Sequence, residues 1–77
     1  MNKPRRAEII VRDMERLAPY MYEGLYGTFL RTFMDTDRSE WTQNMAQYLI
    51  NNNQEWSDVG TEIALLLWER FEKRISC

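Results

Sequence analysis

The residues that most often do chemistry are scarce in this chain. It has no histidine, and its one cysteine is the last residue, Cys77. Without imidazole the common proton shuttle at neutral pH is missing, and a thiol with no neighbouring base in the sequence is a poor nucleophile. The usual zinc-ligand sets are absent for the same reason. Gly24, Gly27 and Gly60 match neither spacing of a phosphate-cradling loop. One cation pattern begins and then breaks. Asp35, Asp37 and Ser39 occupy the first, third and fifth places of a calcium loop, but the sixth, which needs glycine, is Glu40, and the twelfth, which needs a bidentate carboxylate, is Ala46. Asp37 is better suited to capping a helix. No metal or cofactor is expected. Acid and base catalysis by paired carboxylates is not expected either, because the acidic side chains fall at helix starts and solvent-facing positions. The expectation is a protein that is not an enzyme.

Charge and apolar surface remain. Ten basic and twelve acidic residues give a formal charge of −2, which does not favour a general phosphate-binding domain. The distribution is uneven: residues 1–31 hold six positive and four negative charges, 32–62 one and six, and 63–77 three and two. Arg5, Arg12 and Arg16 align in a narrow arc on the first helical segment, with Arg6 beside them. This ridge is read as solvated charge interleaved with Glu8, Asp13 and Glu15, or else as a docking ridge for phosphates or an acidic protein. Asp35, Asp37, Glu40, Glu55, Asp58 and Glu62 make the middle of the chain acidic and are candidates to meet a basic partner.

The apolar pattern is strongest near the C-terminus. Trp56, Val59, Ile63, Leu66, Leu67 and Phe71 recur three or four apart and define one face of a helix. Leu65 and Trp68 fall on its flank or back, so one packing surface cannot bury the whole run. With Ile75 they form the candidate interface, since tryptophan often anchors protein contacts. The alternative is a second helix of the same chain covering that flank. Trp41 and Trp56 lie on apolar stripes and are expected in the core.

The elements that would hold these residues are all helical. Pro4 suits a first helical turn, and Ala7, Ile10, Val11, Met14, Leu17 and Ala18 give helix 1 its apolar face. Pro19 breaks the pattern and starts a second helix with a broad face of Met21, Tyr22, Leu25, Tyr26, Phe29 and Phe33. A short hairpin over 20–33 is the competing reading there. Gly24 and Gly27 lie opposite that face, where they either admit another backbone closely or are plain irregularity. Asp37 followed by Glu40 matches a reciprocal capping pair at the start of helix 3, whose buried face is Trp41, Met45, Tyr48 and Leu49. Asn51, Asn52 and Asn53 end it, and Asn52 or Asn53 caps the last helix. The sequence therefore predicts a single all-α domain, an antiparallel bundle of four helices near 4–18, 19–34, 38–51 and 53–75, with the last longest and central.

A chain of 77 residues buries only ~60% of its unfolded surface, so its core is small and a partner chain is a natural aid. No apolar run approaches the ~20 residues of a membrane span, no secretory leader pattern opens the chain, and a lone thiol fits a reducing compartment. The expectation is a cytoplasmic, non-catalytic protein. It would self-associate as a dimer through Leu65 and Trp68 and occlude or bridge a larger protein. Direct DNA or RNA binding through the helix 1 ridge is the second choice.

Overall fold

Prolines, caps and one glycine set the boundaries of the elements. The computed structural model describes residues 5–76. They form α1 (Arg6–Leu17), α2 (Pro19–Thr32), α3 (Arg38–Asn52) and α4 (Gly60–Ser76), with a 3₁₀ turn over Gln54–Trp56. Pro4 and Cys77 lie outside the described residues. Ala18 closes α1 by donating its N–H to the Met14 carbonyl at 2.9 Å, and Pro19, which has no N–H to leave unpaired, opens α2. Residues 20–33 are thus helical, and no strand occurs among the described residues. At the start of α3 the Asp37 carboxylate accepts the Glu40 N–H at 2.7 Å. Glu40 does not reach back, so only half of the expected reciprocal pair forms.

The last helix starts later than its apolar periodicity implies. Asn53 accepts the Glu55 N–H at 3.1 Å and so caps the 3₁₀ turn rather than a continuous helix. Residues 57–59 form a turn, and α4 begins at Gly60. Trp56 and Val59 keep their places on the stripe and stay half-buried against the core, which is why the periodicity runs through the break. A Cβ on Gly60 would lie 2.7 Å from the side chain of Ile50 and 3.5 Å from the Ala46 carbonyl oxygen. Glycine is what lets the first turn of α4 press onto α3.

α4 is the longest helix and contacts each of the other three. Ile63, Leu67 and Phe71 are fully buried, and α1 adds Ala7, Val11 and Met14 to the same core. Phe29 is its aromatic hub, with ring centroids 5.0 Å from Phe33, 5.2 Å from Trp68, 5.5 Å from Phe71 and 5.6 Å from Trp41. Trp41 and Trp68 stand edge-on to it while Phe33 stacks on it, and pairs in such geometries add ~0.5–1.5 kcal/mol each beyond area burial. At the far end of α4, Arg74 lies 3.8 Å above the Tyr26 ring and binds both carboxylate oxygens of Glu23 at 2.9 Å. Arg5–Glu62 and Arg70–Glu15 pair α1 with α4, and the partners advance in the same direction along both helices. α1 therefore runs alongside α4 in parallel, not antiparallel as the short connections imply.

Candidate binding groove between two helices

α2 and α3 meet firmly at one end only. There the Trp41 indole N–H donates to the Thr32 hydroxyl at 3.1 Å and its ring stands edge-on to Phe29. Along the rest of their length the two helices scarcely touch, and a groove of about 450 Å³ lies between them. Leu25, Trp41 and Met45 form its floor, while Met21 and Tyr48, 44% and 55% exposed, stand on opposite rims. None of the lining residues is charged.

The α2 wall looks polar in sequence and is apolar in practice. Gly24, Thr28, Thr32 and Thr36 recur every fourth residue, and each threonine turns its hydroxyl back on the helix. Thr28 donates to the Gly24 carbonyl at 3.2 Å, Thr32 to that of Thr28 at 2.7 Å, and Thr36 to that of Thr32 at 3.1 Å. Thr28 and Thr32 also accept bonds, from Arg31 at 3.3 Å and from Trp41. With the hydroxyls engaged, this wall has little to offer a polar ligand. A Cβ on Gly24 would meet nothing within 4 Å, so the backbone there is open to close approach. On the opposite wall the Asn44 carboxamide has no partner among the described residues.

Most of the residues singled out in the sequence lie elsewhere. Trp68, offered as an interface anchor, is a core residue, only 7% exposed, with its ring 5.2 Å from Phe29 and 5.6 Å from Trp41. The second flank of the last helix is thus covered by α2 and α3 of the same chain. Leu65 is half-buried and lines a shallower cleft with Arg38 and Thr61, at whose base the buried hydroxyl of Thr42 has no partner. Ile75 is exposed roughly 15 Å further along the axis, so these three residues form no common patch.

The basic ridge and the acidic surface prove to be partly each other's partners. Arg5 bonds Glu62 at 2.9 Å, and Arg6 bonds both oxygens of Asp58 at 2.8 Å and the Glu55 carbonyl at 2.9 Å. The Glu62 hydrogen bond holds the Arg5 guanidinium more firmly protonated still. Arg12 and Arg16 remain exposed and without a partner among the described residues. Asp35 and the Asp37 cap flank the groove's Thr36 in the chain and Glu40 precedes its Trp41; all three are exposed, as is Glu55 on the 3₁₀ turn. Among the described residues no group of three His, Cys, Asp or Glu is gathered as for a metal ion. No helix among them is long and apolar enough to cross a membrane.

Reading Met21 and Tyr48 as core residues concealed the groove in the sequence. The signal that could have found it is the four-residue recurrence Gly24, Thr28, Thr32, Thr36. No family model matches this chain, and no curated protein or solved structure matches it either.

Proposed function

We propose that this protein is a non-catalytic binding module that takes an apolar helical segment of a larger protein into the α2/α3 groove, so occluding or bridging that partner. The observation that carries this reading is a charge-free groove whose α2 wall is small and hydrogen-bond-satisfied while its rims carry exposed methionine and tyrosine. Helix-in-groove recognition uses such surfaces, and methionine adapts to the guest's side chains. From Met21 to Thr32 the wall spans ~16 Å, about three helical turns, enough for guest positions i, i+4 and i+7. Self-association through Leu65 and Trp68 is not retained, because its tryptophan anchor is occupied in the core. Nucleic-acid binding is less well supported, since Arg5 and Arg6 would have to leave carboxylates and, of the four ridge arginines, Arg12 and Arg16 alone have no partner among the described residues. The cytoplasmic location belongs to the same proposal and rests on the lone cysteine.

Site-specific photo-crosslinking in the native cell tests the reading. A crosslinker at position 48 should give a discrete adduct with a larger protein, and Gly24→Leu should abolish it by filling the groove. Adducts formed from position 12 but not 48, and indifferent to Gly24→Leu, would move the binding surface to α1 and sink the proposal.

A further inference from the structure

The two ends of the groove differ in charge. Thr36, at one end, is flanked by Asp35 and Asp37, and Glu40 immediately precedes the groove-lining Trp41; all three acidic residues are exposed. Neither Asp35 nor Glu40 has an ion-pair or hydrogen-bond partner for its carboxylate among the described residues. Arg38, next to Asp37 in the chain, lines the cleft on the α4 side of α3. Arg31 is held on the Thr28 hydroxyl, so at this end three carboxylates stand against two arginines, one of them turned to the far side of α3. At the opposite end Met21 and Tyr48 face each other, and Gln47 and Asn51 on the outer side of α3 bond one another at 2.9 Å. Glu23, the nearest acid on α2, is already committed to Arg74.

We infer that the occupant of this groove is an amphipathic helix with a cluster of lysine or arginine at one end, docked so that this end lies beside Asp35, Asp37 and Glu40. The inference rests on the groove reading above and adds its polarity. The apolar stripe of the guest buries against Leu25, Trp41 and Met45, and its basic end fixes the direction in which it lies. Rim charges of this kind act on selectivity and on-rate more than on total affinity, so the expected discrimination is about tenfold.

The test uses two fluorescein-labelled helical peptides of about 18 residues. Each has a leucine stripe at i, i+3, i+4 and i+7, and one ends in a lysine cluster where the other ends in glutamates. Fluorescence anisotropy should show the lysine-ended peptide binding ~10-fold more tightly, the order reversing for the double variant Asp35→Lys, Glu40→Lys. Asp37 is left in place because it caps α3. Gly24→Leu should abolish binding of both peptides. A Cβ at this position meets nothing within 4 Å and leucine is a better helix former than glycine, so loss of fold is not the expected cause, and circular dichroism checks this. If Gly24→Leu abolishes binding but both peptides bind the wild type equally and the double variant changes nothing, the polarity is overturned while the groove reading stands. If the wild type binds neither peptide, or binds indifferently to Gly24→Leu, the groove reading fails and takes this inference with it. If sedimentation shows a wild-type dimer that Gly24→Leu dissociates, the occupant is a second copy of the chain, which also overturns the inference.

Discussion

The two flanks of α3 are finished in opposite ways. Toward α4 it is sealed: Gly60 is pressed onto Ile50, and Trp41 packs 5.6 Å from Trp68. Toward α2 it is left open, with Gly24 bordering empty space and apolar side chains standing at the rims. Both flanks carry the same kinds of residue, a glycine, a tryptophan and long aliphatic side chains. What separates them is whether the chain supplies a covering element, which on the α4 side it does and on the α2 side it does only around Thr32 and Trp41. A sealed flank is where substitution costs stability, and an open one is where substitution should change binding and leave the fold alone.

The sharpest way to break this contrast is truncation on each side. Trp68→Ala should cost ~3–5 kcal/mol in urea unfolding, a large share of the stability of so small a domain, whereas Met21→Ala should stay within ~0.5 kcal/mol. Equal losses would mean that the groove is closed in solution. The two glycines sharpen the contrast, because alanine should act at them with opposite sign. Gly60→Ala forces Ile50 to move and should destabilise by ~1–3 kcal/mol, while Gly24→Ala meets no neighbour and should raise the unfolding free energy by ~1 kcal/mol through helix propensity alone.

Smaller effects follow. The Thr42 hydroxyl is buried without a partner, so Thr42→Val should be neutral or stabilising by up to ~1 kcal/mol; a clear loss would reveal a hydrogen bond there in solution. The smallest effect concerns the α2–α4 clasp. The Arg74 hydrogen bond holds the Glu23 carboxyl below its ordinary range, so the ion pair contributes above the unfolded carboxyl value and is lost as pH falls through the folded one. Glu23→Gln should therefore lower the melting temperature slightly at neutral pH, a difference that vanishes once the pH has fallen below the folded carboxyl value.

The helical class, the Asp37 cap and the buried stripe of Ile63, Leu67 and Phe71 are legible in the sequence because each is local: a spacing of three or four residues, or a side chain reaching the next turn. What escapes depends on partners distant in the chain. Periodicity identifies Met21 and Tyr48 as apolar positions on helices, but cannot distinguish a stripe facing a core from one facing a gap. The extra flank carrying Trp68 is correctly surplus to one packing surface, yet nothing local says that Phe29 and Trp41 will cover it. The arginines of α1 and the acids before α4 look like two separate surfaces until folding sets Arg5 against Glu62 and Arg6 against Asp58.

Trp41 belongs to both flanks at once, floor of the groove on one side and neighbour of Phe29 and Trp68 on the other. A guest settled on that indole is therefore leaning on the keystone of the whole domain, and occupancy and cohesion become a single equilibrium. Saturating the groove at a hundred times the dissociation constant would add ~2.7 kcal/mol to the folded state. The empty protein would be the more perishable form, its lifetime set by the company it keeps.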